Sequence, residues 1–362
     1  MTEKNIFTTS SGLNETFITA YSTPADDFRT EITALLEHFL ELCTGTRPVW
    51  VKLHLSDIAN QFAIAKEVFS AVQAPLVCIG QPPANGSRAA VESWNLPETA
   101  AMTPGTVNLQ NYKLNFFNVP SLDAADSFTQ MQHEFVAVEK FLAANGLSME
   151  KNLQRTWIYC RDVDNNYAGL VQARREYFMT SGLTAQTHYI SSTGIEGLSG
   201  DHDRLVRMDS LIISGNVPEQ VSYLQAPEFL SPTNIYGVTF ERGTRMTYGD
   251  RSHYYLSGTA SIDCKGEIVH PGNVVMQTER MLDNVEALFA SGNAKLADLK
   301  QAVVYLRDAA DYKNVRNVLE KRLSPETTLI LVRGAVCRPG WLVELEGIGA
   351  NTTGKKDFKD FI

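Results

Sequence analysis

The sequence contains one pattern three times. The copies start at Val49 with VWVKLHLSDIANQFAIAKEVF, at Arg155 with RTWIYCRDVDNNYAGLVQARREYF and at Ala302 with AVVYLRDAADYKNVRNVLEKRL. In each copy an alternating apolar stretch, typical of a β-strand, ends at an aspartate, and an aromatic residue and a helical periodicity follow. The aspartates are Asp57, Asp162 and Asp308, and the aromatic residues are Phe62, Tyr167 and Tyr312. The chain is therefore expected to fold as three similar units.

The segments around each copy recur as well. An amphipathic helix and two strand-like stretches precede it, and a hairpin is expected after its second helix. We predict an α+β fold in which three such units, over residues 1–100, 101–220 and 221–362, surround a pseudo-threefold axis. The sheets would form a barrel-like core with the helices outside, and clefts would lie between units. Because one chain supplies all three units, we expect a monomer.

The composition restricts the classes of function. The chain has 362 residues, 44% of them hydrophobic, and a formal net charge of −9. An acidic chain without a Lys/Arg cluster is not expected to bind nucleic acid, and no apolar run is long enough to span a membrane. Five scattered cysteines without CxxC and seven histidines without HxH or HExxH spacing predict no disulfide framework, no metal site and no cofactor. The first residues lack the apolar stretch of a signal peptide, so we expect a cytoplasmic protein.

Two glutamates stand in the last predicted strand, within GAVCRPGWLVELEGIGA from Gly334 to Ala350. Alternation places Glu344 and Glu346 on the face away from the neighbouring apolar residues. Either this face is simply exposed to solvent, or Glu344 lines a cleft and transfers protons there. In a loose alignment Glu92 and Asp209 take the place of Glu344 in the other two copies, and for those two the solvent-exposed interpretation is favoured.

The third copy contains four stretches with a family pattern: SGTAS, GNVVMQTERMLDNVEALF, AVVYLRD and VELEGIGA. They resemble the YjgF/RidA superfamily, also described as endoribonuclease L-PSP-like. Its members are usually small homotrimers with ligand clefts between subunits, which an internal triplication would imitate. From Arg155 to about Ala350 the chain is similar to the chorismatase branch of this superfamily, through RTWIY, YGVTFERG, LSGTASID, HPGNVVMQT and VCRPGWLVELE.

The resemblance to chorismatases implies an acid. The spacing from Cys337 to Glu344 is similar to that in the chorismatase cleft, where the glutamate is the catalytic acid. Chorismate is a dianion with an enolpyruvyl ether, and pyruvate release starts with protonation of the enolpyruvyl methylene. That step requires a carboxyl group still protonated near pH 7, so the site must raise the pKa of Glu344. Cys337 has no adjacent histidine to activate it and is expected to shape the pocket.

The other predicted site residues would bind a small carboxylate substrate. Arginine pairs with carboxylates through two parallel hydrogen bonds, so Arg174, which matches a chorismatase arginine, is the first candidate. The small residues of LSGTAS would let a ring approach the backbone, and the hydroxyls of Ser257 and Thr259 would form hydrogen bonds with it. The predicted substrate-binding set is Arg174, Arg242, Arg155, Tyr236, Ser257, Gly258, Thr259 and Cys337.

Departures from the family leave two alternatives open. Chorismatases typically have an Asn and a Gly before the arginine of the second copy, where this chain has LVQARREYF. One alternative is an imine or enamine deaminase of the RidA type. The arginine on which those enzymes look to depend aligns with Leu329, and Arg333 fits only if the hairpin is shortened. The other alternative is a non-catalytic protein that binds small carboxylates.

Overall fold

Three β-sheets with helices make up the fold. The computed structural model describes residues 2–9, 12–119 and 124–362. The elements of the first unit are β1 Lys4–Thr8, β2 Asn14–Tyr21, α1 Phe28–Leu42, β3 Thr46–Leu55, α2 Ile58–Val68, β4 Leu76–Gly80 and β5 Ala89–Pro97. Those of the second are β6 Ala101–Thr103, β7 Thr106–Asn108, β8 Lys113–Asn118, α3 Ser127–Ala144, α4 Met149–Asn152, β9 Leu153–Cys160, α5 Val163–Thr180, β10 Ser191–Glu196 and β11 Val206–Ser214. Those of the third are β12 Val221–Tyr223, β13 Gly243–Thr247, β14 Ser252–Ala260, α6 Val274–Ser291, β15 Leu299–Leu306, α7 Tyr312–Arg322, β16 Thr328–Arg333 and β17 Val343–Asn351.

Five strands have the same order in all three sheets, and the second and third sheets have one further edge strand, β6 and β12. The order runs β1-β2-β5-β3-β4 in the first, β6-β7-β8-β11-β9-β10 in the second and β12-β13-β14-β17-β15-β16 in the third. In each sheet the strand of the repeated pattern pairs in parallel with the strand that follows its helix: β3 with β4, β9 with β10 and β15 with β16. The predicted α+β fold of three repeated units is confirmed.

The repeated aspartates stand where strand turns into helix. Asp57 caps α2 by accepting a hydrogen bond from the backbone N–H of Asn60, and Asp308 accepts one from the backbone N–H of Ala310. Aspartate is favoured at such positions because its carboxylate satisfies backbone donors that the first turn leaves free. Asp162 differs, since it has a left-handed backbone with φ of 48° and no side-chain capping bond.

The prediction of a hairpin after the second helix of each unit is wrong. In each unit the last two strands lie on opposite sides of the repeated strand, as β4 and β5 do on either side of β3. A parallel pair requires a crossover, which α2, α5 and α7 provide, and the final strand then returns antiparallel on the free side. One of the strand-like stretches that precede α6, YGVTFERGTRM, forms a strand only in its last part: β13 begins at Gly243, and Tyr236 ends a 3₁₀ turn, Thr233–Tyr236.

The sheets meet at a common centre but do not form a closed barrel. Trp50 of the first sheet packs on Phe116 and Trp157 of the second, with ring centroids 5.2 and 5.6 Å apart. Within the described residues, β-bridge pairing between the sheets is limited to isolated bridges such as Gly80 with Leu198 and Pro83 with Val332. The predicted barrel-like core is therefore corrected to three sheets around one centre.

Other expectations are not tested by the fold. The unit boundaries near residues 100 and 220 and the monomeric state stay predictions. No helix of the described segments is long and apolar enough to cross a membrane.

A buried ion cluster joins the first unit to the third. Glu15 accepts hydrogen bonds from Trp94 Nε1 at 2.8 Å, from Arg251 and from His253 Nε2 at 2.9 Å, the last if that nitrogen carries the proton. Burial alone would raise the pKa of Glu15, but His253 and Arg251 outweigh it and hold the pKa at about 2. The cluster thus stabilises the contact between the two units while Glu15 is ionised.

We predict that this contact fails in acid. Because the pKa of Glu15 falls from 4.5 to about 2 on folding, its stabilising effect is full above pH 4.5 and is lost as the pH drops toward 2. Glu15→Gln should lower the free energy of unfolding at pH 7 by about 1.5–3 kcal/mol, since it removes one of the two carboxylates that pair with buried Arg251 and leaves Asp250 as the other. It should also flatten the pH dependence between 4.5 and 2, as measured by denaturant titration. The exposed Glu98→Gln is the control, and equal losses in both variants would refute the assignment.

Candidate active site

A cavity of about 390 Å³ lies between the second and third units. The second unit contributes residues of α5 and β10, and the third contributes β14, β17 and the loops that precede β13 and β17. The predicted site residues in its lining are Glu344, Arg174, Arg242, Tyr236, Gly258 and Cys337. Residues from four separate stretches of the sequence thus share one cavity.

Glu344 lies directly over the backbone of Gly258. Its side chain is 6% exposed, so the solvent-exposed interpretation of this residue is wrong. A Cβ at position 258 would stand 2.1 Å from Glu344 Oε1, so only glycine leaves room for the carboxyl group. The pairing of β14 with β17 is irregular at this point, between Leu256 and Thr259. The bulge and the missing side chain together make the space that the acid occupies.

The environment of Glu344 favours its protonated form. Burial raises the pKa of Glu344 to about 8, and the neighbouring carboxylate of Glu346 adds to the rise, while Arg242 and Arg155 oppose it. With a pKa near 8 the group is mostly a neutral carboxylic acid at pH 7. It can therefore donate a proton to a bound molecule.

Arg174 and Arg242 supply positive charge to the cavity. Arg174 is 1% exposed and donates one hydrogen bond, from Nη1 to Ser192 Oγ at 3.4 Å, while its Nε and Nη2 have no partner among the described residues. Arg242 Nη2 donates to the Ser231 carbonyl at 2.8 Å, and its Nε has no partner among these residues either. Both guanidinium groups pack on Phe240, at 5.6 and 5.5 Å from the ring centroid. Buried donors without acceptors are unfavourable, so this cavity suits an anion.

Cys337 is a thiol in this site. Burial, with a smaller contribution from the nearby Glu344, raises the pKa of Cys337 to about 12, so the thiol keeps its proton at neutral pH. Its sulfur accepts a hydrogen bond from the hydroxyl of Tyr167. This environment fits a residue that shapes the cavity, in line with the expectation from the sequence, and not a nucleophile.

Arg155, Ser257 and Thr259 are not in the lining. The hydroxyl of Ser257 donates to the Glu241 carbonyl and accepts from the backbone N–H of Ser192 at 2.9 Å. The Thr259 hydroxyl donates to the Ser257 carbonyl at 3.1 Å. Arg155 is bound to Glu346 and Thr193. Their hydrogen-bonding groups are used inside the protein, so we leave these three residues out of the site proposed below.

The cavity also contains residues that the sequence did not indicate. Arg338 lies over Tyr236 and Trp341, with its guanidinium 5.0 and 5.2 Å from their ring centroids. Its position next to Cys337 was the available signal. Phe240 and Thr193 come from an irregular segment and from an edge strand, where no periodic pattern marks an inward side chain. The overlooked lining residues are Tyr167, Thr193, Phe240, Arg338 and Trp341.

The strand register corrects the alignment of the acids. Glu344 is paired with Tyr305, while Glu92 is paired with Lys52 and Asp209 with Trp157. Counting back from the aspartate of each copy, Lys52 and Trp157 correspond to Val303, whose partner is Glu346. Glu92 and Asp209 therefore correspond to Glu346. The positions that correspond to Glu344 are Ala90 and Arg207, so the acid occurs in one of the three units.

Comparison with known proteins agrees with this architecture. The family model described as Endoribonuclease L-PSP matches residues 248–351. A 3-hydroxybenzoate synthase of Streptomyces hygroscopicus is 31% identical over 140 residues, which are 34% of this chain and 41% of that protein. A chorismatase of Streptomyces rapamycinicus is 25% identical over 216 residues, 55% of this chain and 64% of that protein. A chorismatase crystal structure, 20% identical, superposes with a TM-score of 0.67 over 92% of this chain and 98% of its own. The chain is thus similar to the YjgF/RidA superfamily and, within it, to chorismatases.

The sequence matches to these members of the chorismatase branch are partial. They cover about two fifths to two thirds of the relatives' own length.

Neither position considered for the RidA-type arginine places an arginine in the cavity lining. Leu329 is 4% exposed and belongs to the apolar core. Arg333 is bound to Glu196, with Nη1 2.6 Å from Oε2, and is not in the cavity lining.

We predict that a methyl group at position 258 displaces the acid and leaves the fold intact. In Gly258→Ala the clash is with the flexible end of Glu344, which can swing into the cavity and become hydrated. Its pKa should then fall from about 8 toward 4.5, which an infrared titration of the carboxyl band would detect. Gly347→Ala is the matched control, because its Cβ would stand 2.4 Å from the backbone oxygen of Gln301. That variant should lose about 1–3 kcal/mol of stability. An unshifted titration in Gly258→Ala would contradict this account.

Proposed function

We propose that this protein is a chorismatase-like enzyme that releases pyruvate from chorismate, with Glu344 as general acid. The observation that carries the proposal is the neutral carboxyl group of Glu344 in a cavity with two incompletely bonded arginines. Names of relatives and the shared fold agree with it.

The acid has the properties that the first step needs. Protonation of the enolpyruvyl methylene requires a donor that keeps its proton near pH 7, and burial gives Glu344 this property. The resulting oxocarbenium-like carbon takes up water, and the hemiketal collapses to pyruvate and a ring hydroxyl. The proton lost by the water returns to Glu344, so the acid is regenerated.

The cations fit a dianionic substrate. The whole chain has a charge of −9, so attraction must come from a local group of positive charges. Arg174 and Arg242 lie deep in the cavity, and Arg175 and Arg338 add positive charge around it. The unbonded nitrogens of the two buried arginines can take one carboxylate each. Hydrolysis by these steps leaves a dihydrodiol acid as the ring product, and a hydroxybenzoate would form if that acid then lost one water molecule.

The two alternatives are less well supported. A RidA-type deaminase lacks its arginine here, because Leu329 is in the core and Arg333 is paired with Glu196. A non-catalytic binder would use the same arginines but does not account for a protonated glutamate beside them. Pyruvate release from chorismate by the purified protein, followed by chromatography of the ring product, distinguishes the proposal from both.

We predict that Glu344→Gln abolishes most turnover. Glutamine keeps the size and some hydrogen bonding but delivers no proton, so kcat with chorismate should fall by about 10²-fold or more with a nearly unchanged KM. In the unmodified protein kcat should decline as the pH rises through about 8, where Glu344 loses its proton. The exposed Glu219→Gln should behave like the unmodified protein. Full activity of Glu344→Gln would exclude it as the acid.

We predict that Arg174→Ala acts mainly on binding. A charge-assisted hydrogen bond present throughout the reaction contributes about 1.5–3 kcal/mol, so KM should rise roughly 10–100-fold with a smaller change in kcat. Arg47→Ala, an exposed arginine outside the cavity lining, is the control and should change KM little because solvent screens its charge. Equal effects in both variants would point to general electrostatics instead of a bound carboxylate.

A further inference from the structure

Glu346 is buried behind the proposed acid. It is 3% exposed, and its two carboxylate oxygens are used by different partners. Arg155 Nη2 donates to Oε2 at 2.6 Å, and the hydroxyl of Tyr305 donates to Oε1 at 2.8 Å. The contact with Arg155 is a buried ion pair, and the Tyr305 hydroxyl is a second donor to the same carboxylate. A fixed negative charge therefore stands on the same strand face as Glu344, two residues along β17 and about 6–7 Å away.

The same arginine reaches the floor beneath Glu344. Nη2 of Arg155 also donates to Thr193 Oγ1, and this oxygen accepts the backbone N–H of Gly258 at 2.9 Å. Glu344 lies on Gly258, so a continuous path of contacts runs from Glu346 through Arg155, Thr193 and Gly258 to Glu344. Arg155 and Thr193 are each 1% exposed, which keeps water out of the path.

From these contacts we propose that Glu346 is a positioning residue for Glu344, acting with Arg155. Its negative charge opposes ionisation of the acid, and through Arg155 and Thr193 it fixes the backbone on which the acid rests. The inference rests on the proposed function, because it concerns the same acid. It gives a role to Arg155, which does not line the cavity.

The charged groups around Glu344 have opposite effects on its pKa: positive charges lower it and a negative charge raises it. Positive charges come from Arg242 before β13, Arg155 on β9, Arg174 on α5 and Arg338 in the loop before β17. The neutral hydroxyl and thiol groups are those of Tyr305, Tyr167, Tyr236 and Cys337. Among the described neighbours that affect the pKa of Glu344, Glu346 is the negative one. Its removal should thus have an effect opposite in sign to the removal of an arginine.

The test compares the titration of Glu344 with and without Glu346. In Glu346→Gln the pH midpoint of the Glu344 carboxyl band, measured by infrared difference against the corresponding Glu344→Gln protein, should fall by about one unit or more. The basic limb of the kcat profile with chorismate should move down by the same amount. Glu346→Asp, which keeps the charge, should restore most of the shift. An unchanged midpoint in folded Glu346→Gln would overturn the proposal.

Two further variants separate charge from position. Thr193→Val removes the hydroxyl link but no charge, so kcat should fall several-fold while the midpoint stays. If Glu346→Gln does not fold, the double variant Arg155→Gln with Glu346→Gln leaves no buried charge unpaired. Its midpoint should fall by less than that expected for the single variant, because the opposing charge of Arg155 is lost too, and a rise would overturn the proposal. The infrared titration needs no turnover, so it tests the link even if the unmodified protein releases no pyruvate.

Discussion

The fold depends on a group of charges buried where the three sheets meet. Lys52 of the first sheet interacts with Glu92 of its own sheet, Asp209 of the second and Glu346 of the third. Its ammonium group lies 3.8 Å from the ring centroid of Trp157. Burial lowers the pKa of Lys52, and the three carboxylates oppose this. Because unpaired buried charges are so unfavourable, each sheet is held to the others by the need to keep these charges together.

The candidate site also contains a buried carboxyl group, but there burial keeps the group neutral. At the centre each acid has cationic or hydrogen-bonding neighbours, whereas Glu344, two residues further out, lies where desolvation prevails over its arginines. The two glutamates of one strand thus have different environments over about 6–7 Å. Glu346 is held in an ion pair with Arg155, whereas burial favours the neutral form of Glu344.

Much of the fold and part of the site could be predicted from the sequence. The repeat is visible because strand and helix periodicities are local, and the aspartate at each strand end marks the turn into helix or 3₁₀ segment. The hairpins were wrong because periodicity does not show on which side of a strand its neighbour pairs. Glu344, Arg174 and Gly258 were found through motif spacing. Phe240, Thr193 and Arg338 were not, because they reach the cavity through loop geometry and long-range packing.

The site also shows what fusion of three units into one chain makes possible. In a homotrimer a substitution in one subunit appears in all three. The corresponding positions of the three clefts therefore always have the same side chain. In this chain that position is Ala90 in the first unit, Arg207 in the second and Glu344 in the third. Each unit can then be selected for a different task. The first and second units can then change at this position without changing Glu344 of the third unit.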